Sequence, residues 1–225
     1  MIEYKLIRSA RISIGAYIRK GVVEVRAPFF YSADEIDEFV ASKQEWISHN
    51  LAESKEQEIK RNNFSLTYGS EITYRGSVYT ISGELNRKSG FVDTSLYVPP
   101  NLSPEQIRLH CINLLKMHAE VLFEKIACEC VGKMLVLPSD FNISNATRSW
   151  GRCSSKKSIR ISWLLIMADD DLIEYVIVHE LAHLIEFNHS AQFWTIVEHY
   201  IPDYKNRKAR LRLLQEKLMF ENWDA

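Results

Sequence analysis

Residues Val178–His183 read VHELAH, and His189 follows after a short gap. On a helix, His179 and His183 stand four apart, on one face and one turn above the other. Two imidazoles so placed can hold one zinc ion through their ring nitrogens. Glu180 then points to the side of the pair, where a water on the metal would sit. The flanks favour a helix. Asp169, Asp170 and Asp171 supply an N-cap candidate and negative charge for the first turn. Leu172, Val176, Leu181 and Ile185 supply apolar turns between which the histidines emerge. H-E-x-x-H is short and arises by chance in helices that bind no metal. Two histidines and a glutamate inside so apolar a helix need a reason to be there, and a metal-dependent hydrolase supplies one.

The third ligand is less constrained. His189 reaches the ion if the helix ends and the chain turns back. The metzincin pattern places a glycine for that turn where this chain has Glu186. Asn188 is the residue able to take a left-handed conformation and end the helix. Ser190 then reads as the cap of a following helix, AQFWTIVEHYI. Glu198 on that helix is the competing ligand, in the manner of gluzincins, and His189 is preferred.

A chain of 225 residues, 46% hydrophobic and 11% aromatic, can bury a sizeable core as one large or two small domains. A formal net charge of −1 gives no strong nucleic-acid signal and no sign of a membrane-surface protein. No run approaches a membrane span, and MIEYKLIRSARISI carries no signal-peptide pattern. Cys111, Cys128, Cys130 and Cys153 show neither disulfide nor redox-pair spacing. Cys111 and Cys128 read as small apolar helix residues, and Cys153 as buried. The expected setting is cytoplasmic.

The expected class is α+β. Residues 1–100 read as a β-rich N-terminal domain: EYKLIRS, RISIGAYI and VVEVRAP alternate, with Gly21 at a hairpin turn. One helix interrupts them over about 33–61, opened by the capping box Ser32 to Glu35. Ile36, Phe39, Val40, Trp46, Ile47 and Leu51 form its apolar stripe. Strands resume with FSLTYG, EITYR, VYTISG and FVDTSLYV, and Pro99, Pro100 and Asn101 mark the expected boundary. Residues 101–225 read as a zincin-like hydrolase domain. Ser103 caps a long helix with Pro104 in its first turn, ending near Gly132. Short strands follow around FNISNAT and SIRISWLL, then the metal helix and two more helical segments. A sheet edge near SIRISWLL is expected to present extended substrate.

Beyond the metal motif, SARISI, KQEWI, WGRCSS (Trp150–Ser155), YVIVHELAHL, NHSAQFW and IPDY (Ile201–Tyr204) occur in order along nearly the whole chain. In this set the chain resembles the YgjP-like metal-dependent hydrolases, and more distantly the SprT-like and WLM metallopeptidase domains. The resemblance implies a zincin-like catalytic domain, zinc held by His179, His183 and His189, and catalytic Glu180. Ser149 and Arg152 depart from the family pattern, which has a basic residue and a serine there.

Trp150–Ser155 suit either a loop bracing the metal helix or a substrate contact. Arg152, His199 and Tyr204 are candidates for stabilising developing charge, and packing or surface roles compete for each. Arg148, Arg152, Lys156, Lys157 and Arg160 form one basic stretch; Lys205, Arg207, Lys208, Arg210 and Arg212 form another. Such runs are usually solvated faces. Three functions remain in view. The first is a zinc metallopeptidase with Glu180 as general base toward water. The second is a metal-dependent nucleotide pyrophosphatase, which the first basic stretch would suit if it lined the cleft. The third is a non-catalytic zinc-bearing module, against which Glu180 stands.

Overall fold

The computed structural model describes residues 2–19 and 21–224. Residues up to Phe64 with Met219–Asn222 form one compact unit; Ser65–Leu218 with Trp223 and Asp224 form another.

In the first unit, β1 (Lys5–Arg8), β2 (Gly15–Arg19) and β3 (Val22–Ala27) form a sheet in the order β1-β3-β2. β1 runs parallel and β2 antiparallel to the central β3. Alternation along β3 buries Val23, Val25 and Ala27. The helix expected over 33–61 is two helices, α1 (Ala33–Ser42) and α2 (Gln44–Asn63), divided at Lys43 with φ −106 and ψ 11. The capping box forms: Glu35 N–H donates to Ser32 Oγ at 3.2 Å, and Ser32 N–H donates to Glu35 Oε2 at 2.7 Å. Ile36, Val40 and Ile47 complete the core, with Phe39 and Leu51 partly buried against it. Trp46 stands at the margin of that stripe and is 46% exposed.

The second unit begins with β4 (Glu71–Tyr74), β5 (Ser77–Gly83), β6 (Gly90–Val92) and β7 (Ser95–Val98), in the order β4-β5-β7-β6. FSLTYG is not a strand. Arg75 and Gly76 turn the β4–β5 hairpin with φ 48 and 73, the paired positive values of a tight two-residue turn. Their N–H groups donate to the Ile166 and Met167 carbonyls at 2.8 and 3.1 Å. These bonds tie the hairpin tip to the later part of the chain. The division therefore follows α2, and Pro99–Asn101 lie inside the second unit.

Helix α3 (Pro104–Met134) starts as its sequence dictates, with Ser103 and Gln106 capping reciprocally and Pro104 in the first turn. It ends at Leu135 in the left-handed conformation, one turn's breadth past the expected Gly132. Cys111 and Cys130 lie in the core, whereas Cys128 faces outward: the helical phase, not cysteine's apolar character, sets its exposure. A third sheet follows, β8 (Asp140–Ser144), β9 (Gly151–Cys153) and β10 (Ser158–Ser162), in the order β8-β10-β9. SIRISWLL splits into β10 and a 3₁₀ turn, Trp163–Met167. β10 is hydrogen-bonded on both sides, so it cannot receive a further strand; a free edge of this sheet belongs to β9. α4 (Asp170–Ala182), α5 (Ala191–Tyr200) and α6 (Tyr204–Leu218) complete the unit. α3 packs along α4, and the buried Phe123, Ile159, Ile161, Trp163, Ile173 and Ile177 fill the core around them. The class is α+β.

Candidate active site

α4 carries the motif, and its acidic start is held from outside the helix. Asp169 occupies the cap position, but its side chain makes no capping bond. It pairs instead with Arg210 of α6, whose Nη2 lies 2.8 Å from Asp169 Oδ2. Arg210 also pairs with Asp171, and Arg207 donates to the Asp171 carbonyl at 2.8 Å and to Glu174 at 3.1 Å. Arg75 meets Asp170 through two bonds, one from Nε at 2.8 Å. Part of the second basic stretch thus neutralises Asp169 and Asp171, and Arg75 neutralises Asp170; all three also lie where the helix dipole favours negative charge.

α4 stops at Ala182, earlier than the sequence suggests. Leu184 N–H bonds to Leu181, and Ile185 and Glu186 N–H both bond to the Ala182 carbonyl, so the end tightens over itself. Asn188 is not left-handed and makes no such cap. Its N–H donates to Glu186 Oε1 at 3.3 Å, and Ser190 N–H bonds to the Asn188 carbonyl at 2.8 Å. Ser190 Oγ accepts from Phe193 N–H at 3.3 Å and starts α5 as expected.

This turn brings His189 back to the helix. One ring nitrogen each from His179, His183 and His189 lies within 4.8 Å of the others. The Nε2 atoms of His179 and His189 face each other at 3.0 Å. Imidazole nitrogens sharing a tetrahedral zinc stand roughly 3.3 Å apart, so little movement separates this arrangement from a ligand set. His183 Nδ1 lies 3.3 Å from the Glu186 carbonyl. A carbonyl only accepts, so Nδ1 carries the proton and Nε2 keeps its lone pair. His179 Nδ1 is buried without a hydrogen-bond partner among the described residues. That ring's remaining polar atom is the Nε2 aimed at His189. Burial holds the His179 imidazole down to about 3, reinforced by the neighbouring His183 and His189 rings and by Lys208. Burial also lowers His183. Neutral, lone-pair-bearing rings are what a divalent cation needs, and the donor set fits one.

Aromatic packing fixes these rings. Phe193, fully buried, lies 4.9 Å from the His179 ring, 4.5 Å from His183 and 4.8 Å from His189 by centroid. Trp194 stacks on His189 at 5.7 Å, and Tyr204 stacks on Trp194 at 5.2 Å. Tyr204 is therefore a buried support for the Trp194 ring that stacks on His189. Both tryptophan and phenylalanine stand in the NHSAQFW segment, where their aromatic character was the available signal.

Glu180 is only 6% exposed. Burial pushes its carboxyl up to about 7, while a hydrogen bond from the Cys153 backbone pulls it back. A cation at the histidines would lower it further. The carboxylate lies against β9: a Cβ built on Gly151 would fall 2.6 Å from Glu180 Cγ and Oε1. Only glycine leaves this room. The WGRCSS segment is therefore a brace for Glu180. Cys153 is half-buried beside it, and burial raises the thiol, with Glu180 adding to the effect.

The other candidates lie elsewhere. Strand alternation turns Gly151 and Cys153 toward Glu180, so Arg152 points to the opposite, exposed face. Arg152 is consequently no oxyanion donor for this centre. Glu198 is exposed on α5 and outside the histidine cluster. His199 is exposed, with its ring against Tyr200 at 4.8 Å.

A family model described as the YgjP-like metallopeptidase domain matches residues 12–213. The chain belongs to the YgjP-like metallopeptidase family. Among curated proteins none matches it. Two solved metallopeptidase zymogens are similar. Jannalysin of Methanocaldococcus jannaschii is 22% identical, with a TM-score of 0.36 over 42% of this chain and 95% of its own. Abylysin of Pyrococcus abyssi is 23% identical, with a TM-score of 0.38 over 45% of this chain and 99% of its own. Among the described residues, no helix is long and apolar enough to cross a membrane.

Proposed function

We propose that this member of the family is a zinc-dependent peptidase, with one zinc per chain held by His179, His183 and His189 and with Glu180 as general base. The observation that supports it is the convergence of three imidazoles, with the buried carboxylate of Glu180 next in the chain to one of them. Bound by three protein ligands, zinc would keep a position open, lower the pKa of water toward about 7 and polarise the attacked carbonyl.

The chain's own residues supply the rest. Glu180 accepts the proton of the attacking water and delivers it to the leaving amine. Burial raises the proton affinity of the carboxylate for that exchange. Gly151 lets the carboxylate approach the strand, and the Cys153 N–H orients it. Ser162 N–H bonds to the Trp150 carbonyl and Ser154 N–H to the Ser158 carbonyl. Antiparallel alternation then turns the Gly151 backbone groups and the Cys153 carbonyl to the free edge of β9, where an extended peptide can add as a strand. Arg152, the cation nearest Glu180 along β9, faces outward, which weighs against the nucleotide reading.

Zinc-loaded protein is to be incubated with unfolded casein and, separately, with nucleoside triphosphates. Casein should be cut, and Glu180→Gln should abolish cutting. Consumption of triphosphate with casein left intact would overturn the proposal.

A further inference from the structure

The edge strand beside Glu180 carries a charge that the sheet itself does not use. Arg152 of β9 stands directly opposite Arg160 of β10. The bonds at Trp150–Ser162 and Ser154–Ser158 place 152 and 160 in a hydrogen-bonded pair between them. Their side chains therefore leave the same face of the sheet as close neighbours. Both are exposed. Like charges directly opposite one another destabilise a sheet.

Nothing in the sheet relieves this pair. Among the described residues no carboxylate forms an ion pair with either arginine. The next position in the row, across β10, is Asn142, a neutral side chain. The nearest acidic neighbour by register, Asp140, accepts from Asn142 Nδ2 at 2.7 Å and from Ser158 Oγ at 3.4 Å. Elsewhere in this unit Arg75, Arg207 and Arg210 each meet an aspartate. The row Asn142–Arg160–Arg152 thus ends at the free edge of β9 with two positive charges and an open next place.

The geometry points to Arg152 and Arg160 as a specificity subsite that selects an acidic side chain in the peptide substrate. The inference rests on the peptidase proposal and on strand addition at β9. A residue of an added strand that pairs opposite Arg152 puts its side chain on the outer face, next in the row. A carboxylate there meets a guanidinium whose planar fork suits it. It also separates the charge of Arg152 from full repulsion by Arg160. The neighbouring substrate residues turn inward, toward Gly151, Cys153 and Glu180. Charge selection and hydrolysis therefore occupy opposite faces of one strand.

The test uses the zinc-loaded full chain and quenched fluorescent peptides differing only by Asp, Ala or Lys at successive positions around the scissile bond. At one position wild type should favour Asp over Lys by on the order of fivefold in kcat/KM. Arg152→Glu should invert the order at that position, and Arg212→Glu, an equal charge change on α6, should leave it. Arg152→Glu sets opposite charges across the strands, so its melting temperature should not fall. Binding of labelled Asp and Lys peptides to Glu180→Gln, followed by fluorescence anisotropy, should show the same order without turnover. Peptide cleavage with no charge preference, or a preference that Arg152→Glu leaves intact, would overturn the subsite and spare the peptidase proposal. Cleavage of none of the peptides would overturn both.

Discussion

Gly151 and Glu180 share one space: the room a methyl group would take at position 151 is filled by the Glu180 side chain, 2.6 Å from the Cβ position at both Cγ and Oε1. The glycine is thus tied to the carboxylate's location and not to a backbone turn. It links the edge of a sheet to the last turn of α4.

Gly151→Ala should therefore displace Glu180 while leaving the histidines in place. Zinc content, measured by elemental analysis, should stay at one equivalent. Peptide hydrolysis should fall on the order of a hundredfold, the cost of misplacing a catalytic group by about 1 Å. Overpacking should also lower stability by roughly 1–3 kcal/mol. A variant with wild-type turnover would show that Glu180 does not need its present position.

Glu180→Gln should keep its metal, because the residue is not one of the clustered nitrogens. The amide cannot take the water proton, and turnover should drop by about a hundredfold to ten-thousandfold. Equal kcat in the two proteins would remove Glu180 from the chemistry.

His183→Ala and His189→Ala should each lose zinc, whereas Glu198→Ala should retain wild-type affinity, since Glu198 is exposed and outside the cluster. Competition against a chromophoric chelator measures all three. Strong weakening by Glu198→Ala with full affinity in His189→Ala would reverse the assignment.

The Arg75–Asp170 pair predicts a response to acid. Hydrogen bonding from Arg75 holds the Asp170 carboxyl below its ordinary 3.8. A carboxyl lowered on folding stabilises the native state above its unfolded pKa, and this is lost as pH falls through the lower, folded value. Both side chains are about half exposed, at 42% and 50%, so screening should keep the effect below about 1 kcal/mol. Melting temperatures of wild type and Arg75→Ala should differ by a constant amount above about pH 5 and converge below about pH 3.8. A gap that persists undiminished in acid would place the stabilisation somewhere other than this carboxylate.

Much of this was legible in the sequence where the signals were local. Ser32 with Glu35 and Ser103 with Gln106 cap helices within four residues of themselves, so no distant contact could override them. His179 and His183 are fixed by helical spacing, and Ser190 starts α5 close enough to bring His189 back. The face of Arg152 was not legible, because a strand of three residues shows no alternation until its partner fixes the phase. The division at Lys43 has neither proline nor glycine to announce it. Nor do the acidic and basic stretches reveal in sequence that they neutralise each other. Asp169 and Arg210 lie 41 residues apart, and only the packing of α6 against α4 brings them together.

That last contact bears on how the molecule matures during synthesis. The motif helix begins with three adjacent negative charges, and two of the arginines that quench them, Arg207 and Arg210, are translated only after His189. A nascent chain emerging through His189 already carries all three clustered histidines, yet its motif helix still opens on a self-repelling terminus. Lasting order at the centre is therefore expected only once α6 has emerged and docked onto α4, late in the translation of this unit.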